Sequence, residues 1–230
     1  MPEPGPGVCR VCRGPGPGDQ RVCFACRVVA RRLGLPLAPV APVRLCPLPS
    51  PLYTVLLGYK ESPVAEARLR FGSMVRALFS SFLVGHGDRL EATIGGRFDL
   101  VALVPSTRRP GIAPLGLVDG FGHDVAAALP AAHWAADLLQ RADVPGGSPP
   151  VAHMRPHAAA FSVPAPGRAA VTGARVLLLD DTYVSGARSQ SAVAALTRAG
   201  ARCTLIAPLG RVLRPGRIAL HAEFLRRNVV

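Results

Sequence analysis

At 230 residues the chain can bury a full core and still carry an appendage, and no apolar segment in it reaches the length of a membrane helix. Residues 1–7 are rich in Pro and Gly without an apolar core, so no secretory signal is visible and a cytoplasmic protein is expected. The net charge of +13 suits nucleic acid or polyphosphate, but the arginines run from Arg10 to Arg227 without forming one basic block, so charge alone names no partner.

The first motif in chain order is Cys9-x2-Cys12, ten residues, then Cys23-x2-Cys26. Each pair can set two thiolates on one tight knuckle, and two knuckles complete a closed tetrahedral zinc site. Four protein ligands leave no open position, so this zinc is structural. In a reducing compartment that reading precedes disulfides, and it stands ahead of an iron-sulfur cluster or free thiols. Residues 1–35 are therefore expected to form a zinc-ribbon module, with a short basic helix over 27–35. Pro36, Pro39, Pro42, Pro47, Pro49 and Pro51 then interrupt regular structure, so 36–52 reads as an extended linker. Cys46 and Cys203 lack partners in sequence and read as small buried apolar residues.

Residues 53–230 form the main domain in this reading. A strand is expected over 53–57, with Gly58, Tyr59 and Lys60, the only lysine, at its exit. Phe71, Val75, Leu78 and Phe82 recur at spacings of four, three and four, the stripe of an amphipathic helix over 64–84. A buried strand follows at 98–104, then a turn with Ser106, Thr107, Arg108 and Arg109. A helix is expected to begin at Val125 and to end at Pro130. Gly146 and Gly147 mark a flexible stretch before His153 and His157.

Residues 175–200 carry the most specific pattern. Val176 to Leu179 is a continuous apolar run, as in a strand covered on both faces of a parallel sheet, and it meets two carboxylates, Asp180 and Asp181. Small and hydroxylated residues follow, including Ser185, Gly186 and Ala187. A helix with Val193, Leu196 and Ala199 on one face closes at Gly200. Unpaired N–H groups at the helix start make an anion cradle, and the small residues let a phosphate approach the main chain. The acids can accept from the hydroxyls of a neighbouring ribose. Neither a G-x-x-x-x-G-K-[ST] nor a G-x-G-x-x-G loop is present. Acid pairs after buried strands also occur in receiver domains, which need a downstream lysine that this chain lacks, and in haloacid-dehalogenase-like phosphatases.

This stretch resembles the ribose-phosphate signature of type I phosphoribosyltransferases, and the four cysteines with it point to the competence-associated, ComF-like branch. The resemblance implies an α/β fold, a mostly parallel sheet flanked by helices, with a small N-terminal zinc ribbon. It implies that Asp180 and Asp181 contact the ribose hydroxyls of 5-phosphoribosyl-1-pyrophosphate (PRPP) or ribose 5-phosphate. Tyr183, Val184, Ser185, Gly186, Ala187 and Arg188 would surround the 5-phosphate. Lys60, Arg108 and Arg109 would hold pyrophosphate, with Mg2+ neutralising it. The stretch 144–157 matches the loop that closes over substrate. If the chain is an enzyme, it transfers the phosphoribosyl group to a nitrogen nucleophile and releases pyrophosphate.

Departures from the family pattern define the alternative. Asp119 stands where an arginine is usual, in a stretch that keeps only Gly120 and Phe121, and Val184 and Arg188 replace loop threonines. These changes favour a non-catalytic ribose-phosphate-binding protein, or a DNA-uptake accessory that binds single-stranded DNA. The basic tail from Arg211 to Arg227 is the local candidate for an anionic partner. The transferase reading requires that the pocket beside Asp181 be free of the Arg188 guanidinium and that the amides of 185–187 not be bonded internally.

Overall fold

The computed structural model describes residues 3, 5–18, 21–105, 120–142 and 150–228. Its centre is a five-stranded, all-parallel sheet in the order β1-β7-β6-β2-β3, with β1 at Arg44–Pro47, β2 at Leu100–Leu103, β3 at His133–Ala135, β6 at Arg175–Tyr183 and β7 at Cys203–Leu213. A separate antiparallel pair joins β4 (Gln140–Arg141) to β5 (Phe161–Ser162). The expected α/β class is therefore what the chain forms.

The apolar run of β6 is central because it is paired on both sides: Leu100–Leu103 match Val176–Leu179 on one edge, and β7 matches on the other. Leu177 and Leu179 join one core cluster, Val176 and Leu178 the other, as the two-residue period of a strand requires. The strand does not stop at the acids. Asp180 to Tyr183 continue along β7 after β2 has ended, so the carboxylates emerge where the sheet opens on one side. From here β6 leads through α6 (Ala187–Arg198) to β7, whereas β2 has β3 on its other side. This divergence is a topological switch point, where α/β sheets form a crevice at the strands' carboxyl ends.

Three expectations are corrected. The strand expected at 53–57 is part of a helix, α2, Pro51–Glu61. Ser50 caps it by accepting from the Tyr53 N–H at 3.3 Å, and Pro51 stands at the first helical position, a start signal that outweighs the β-prone Tyr-Thr-Val. The next helix, α3 (Ala65–Thr93), runs beyond the expected 84. It buries Val75, Phe79, Phe82, Leu83 and Leu90, and a Cβ on Gly58 would overlap the Phe71 ring, so α2 lies close on α3. Lastly, the Pro-rich stretch is more than a tether: it supplies edge strand β1, and Val40 and Ala41 are buried beside β7.

The N-terminal module carries α1, Phe24–Leu33, close to the expected basic helix. It packs against α6, and its four cysteines share a core cluster with Ala192, Val193 and Leu196 of that helix. Helix α4, Phe121–Ala128, begins four residues earlier than Val125, because Gly120 in the left-handed region (φ 78°) starts it. Arg76 and Ser80 of α3 anchor its first turn by donating to Asp124. Helices α5 (Ala165–Val171) and α7 (Ala219–Asn228) complete the layers. Cys46 is buried as expected, whereas Cys203 is only half-buried. No helix among the described residues is long and apolar enough to cross a membrane.

Candidate functional site

Asp180 and Asp181 lie at the carboxyl end of β6 with 2% and 3% of their surface exposed. Carboxylates that deep need partners, and the chain provides them. Asp180 Oδ1 accepts from Arg188 Nη2 at 2.5 Å and from the Asp181 N–H at 2.9 Å, and its Oδ2 accepts from Ser189 Oγ at 2.6 Å. Asp181 Oδ1 accepts from the same Arg188 Nη2 at 2.7 Å and from Thr182 Oγ1 at 2.7 Å. Its Oδ2 accepts from the Tyr59 hydroxyl at 2.7 Å and forms an ion pair with Lys60. All four carboxylate oxygens are thus occupied, and two anions face two cations.

Their acidities diverge. Burial by itself would raise Asp181, but the charges of Arg188 and Lys60 outweigh it and hold this carboxyl well below the ordinary range. Burial raises Asp180; Arg188 opposes the rise and the neighbouring charge of Asp181 adds to it. The Tyr59 phenol is driven far upward by burial and by Asp181, so it stays a donor.

Two elements place the cations. The final turn of α2 brings Tyr59 and Lys60 together onto Asp181, and a cation there also suits the negative end of the helix dipole. Arg188 is the second residue of α6, where a cation opposes the positive end of the dipole. The acid pair overcomes that penalty. The Arg188 guanidinium therefore stands on the acids, not around a phosphate, and Lys60 is committed to Asp181, not free for pyrophosphate. These are corrections to the assignments made from sequence.

The loop after the acids is small-residue backbone, as expected. Gly186 caps α6 in the left-handed region (φ 83°), and a Cβ there would collide with the Tyr183 hydroxyl. The amides of Ser185 and Gly186 have no partner among the described residues, while the Ala187 N–H makes a long 3.5 Å contact to Ser185 Oγ. The loop is covered: Ser185, Gly186 and Ala187 are buried, and Val184 half-buried. Met154, left-handed itself (φ 53°), donates its N–H to Ser185 Oγ at 3.0 Å. The described end of the segment expected to close over a ligand, from Met154 to His157, thus lies on the loop, held also by His157 N–H to Ser191 Oγ at 3.0 Å. Tyr183 is a correction: 1% exposed, it is core and not a phosphate contact.

At the N-terminal module the thiol sulfurs of Cys9, Cys12, Cys23 and Cys26 all lie within 4.8 Å of one another, and all four residues are buried. That donor set and spacing are compatible with a structural tetrahedral zinc. Sequence reasoning missed Arg211. Expected in an exposed basic tail, it is 4% exposed, with Nη2 3.4 Å from Cys12 Sγ. Its place within a long apolar strand, between Gly210 and Val212, was the available signal.

Arg108, Arg109, Asp119 and residues 144–149 lie outside the described residues. His123 and His133 line a separate cleft of about 440 Å3 with Trp134 and Gly120, beside edge strand β3. Compared with known proteins, the chain matches no family model and no curated sequence.

Proposed function

We propose that this chain is a phosphoribosyltransferase-like protein that binds ribose 5-phosphate or PRPP by the phosphate end and does not transfer the sugar. The contrast within 180–188 carries the reading. Each oxygen of Asp180 and Asp181 already accepts from the chain's own donors, while the amides of Ser185 and Gly186 remain unpartnered among the described residues. A ribose diol would have to displace a cation from three of the four carboxylate oxygens, which leaves charge uncompensated, or the Ser189 hydroxyl from the fourth, on a carboxylate that is buried. The condition on which turnover depended, a pocket clear of Arg188, is not met. A phosphate needs only the helix-start amides and the lifting of the Met154 turn.

Zinc belongs to this reading as a structural ion held by Cys9, Cys12, Cys23 and Cys26. Mg2+ would accompany PRPP through its pyrophosphate. Calorimetry with inorganic phosphate, ribose 5-phosphate and PRPP, with and without Mg2+, tests the proposal. Similar affinities for the first two are expected, because the sugar hydroxyls gain no carboxylate. Pyrophosphate release from PRPP with ammonia or a nucleobase would reinstate the transferase; no binding of any of the three removes both readings.

A second reading, a nucleic-acid-binding accessory of DNA uptake, draws on the exposed Arg214, Arg217 and Arg226 and the net charge of +13. It predicts single-stranded DNA binding that weakens steeply with salt, and a lack of binding at low salt would end it.

A further inference from the structure

Arg211 reaches two places at once. The β6–β7 register sets it opposite Tyr183, at the point where β6 turns into the loop. From there Nη1 donates to the carbonyls of Tyr183 at 3.0 Å and Val184 at 2.8 Å, as well as to Val212 at 3.0 Å. Nη2 extends the other way, to Cys12 Sγ. The guanidinium also lies 5.4 Å from the centre of the Tyr183 ring, whose hydroxyl sits against Gly186. Gly14 makes room for this bridge: a Cβ there would come within 2.6 Å of Nη2. A continuous chain of contacts therefore runs Cys12, Arg211, Tyr183, Gly186.

Other contacts couple the same two regions. Gln190 of α6 donates to the Ala38 carbonyl at 2.9 Å and accepts from its N–H at 3.0 Å, and Arg32 of α1 donates to the Met154 carbonyl at 2.9 Å. The N-terminal module thus packs on the helix behind the loop, holds the turn that covers it and reaches the loop itself through Arg211. Yet only Arg211 contacts both a cysteine sulfur and the loop backbone, among the described residues.

We infer that Arg211 is a positioning residue that couples metal occupancy of the four-cysteine site to the shape of the 183–187 loop. The guanidinium balances part of the negative charge of a thiolate-metal centre, and a centre that holds Nη2 fixes Nη1, and with it the carbonyls of Tyr183 and Val184, whose peptide planes carry the N–H groups of Val184 and Ser185 and set the entry to the rest of the loop. The coupling is reciprocal, so an anion on the loop strengthens metal retention. This rests on the phosphate-loop reading above, but one arm of its test does not.

The experiment uses the full-length zinc-loaded protein, R211K and G14A. R211K keeps the charge and loses the fork; G14A crowds Nη2. Amide hydrogen exchange over 183–187 is measured in each, together with zinc release to a chromogenic chelator with and without inorganic phosphate. In the wild type, phosphate should slow zinc release several-fold. R211K should retain zinc, exchange its loop amides at least tenfold faster than wild type, and lose the phosphate effect; G14A should fall between. If phosphate has no effect even on the wild type, phosphate binding at the loop has failed, and loop exchange alone decides the role of Arg211. Unchanged loop exchange in zinc-loaded R211K overturns the inference.

Discussion

Two clusters of buried acidic side chains meet the 180–187 segment, and they are balanced in opposite ways. Asp180 and Asp181 have Arg188 and Lys60 against them, plus hydroxyls from Tyr59, Thr182 and Ser189. The four thiols of Cys9, Cys12, Cys23 and Cys26 have Arg211 as the cation in hydrogen-bonding contact. A matched carboxylate pair is complete without a ligand; four cysteine sulfurs this close can all be thiolates only with a cation from outside. Two acids after a strand therefore do not by themselves make a sugar site. What decides is whether the fold spends their lone pairs internally.

The largest test removes the outside cation. C12S, or chelation of zinc, is expected to unfold the N-terminal module and lower Tm by roughly 10 °C, since structural metal supplies folding energy outright. A melting curve unchanged on zinc removal would mean the thiols are as self-sufficient as the acids. Next, R188M strips the cation shared by both carboxylates, and urea denaturation should show a loss of about 3–5 kcal/mol. A neutral or stabilised R188M that also gains affinity for ribose 5-phosphate over inorganic phosphate would reverse the comparison, with the acids freed for a diol.

K60M should cost less, about 1–2 kcal/mol at neutral pH, because Lys60 is partly exposed and Arg188 remains. Its pH dependence has a defined sign. The Asp181 carboxyl is held below its unfolded value, so the Lys60 pair stabilises the fold fully above about pH 4 and fades as pH falls through the lowered folded value. The gap between K60M and wild type should shrink in acid; a constant gap would place the effect in packing. Smallest is S50A, which loses the cap of α2 for about 1 kcal/mol and loosens the helix that presents Tyr59 and Lys60. A loss far above that would show Ser50 engaged beyond its cap.

Much of this was legible in residue order because local rules govern it. Val176 to Leu179 has the continuous apolar run expected of a doubly covered strand, which it forms, and the CxxC spacing brings thiols together within a short chain segment. The helix at 51–61 is not legible from Tyr53, Thr54 and Val55, whose types favour a strand; the Ser50 cap with Pro51 at the first helical position sets it. Arg211 was misplaced because sequence neighbours suggested a basic tail, whereas the β6–β7 register carried it inside.

Residue order alone thus determined the parallel α/β framework, the cysteine cluster and the acidic turn with its small-residue loop, all of which follow from apolar runs, short spacings and backbone freedom. The tertiary structure alone decided who answers the buried charges. Lys60 lies far from Asp181 along the chain, as Arg211 does from Cys12, and no local pattern encodes such pairings. They exist because packing α2 on α3 and β7 on β6 excludes water from those anions and leaves a particular cation within reach.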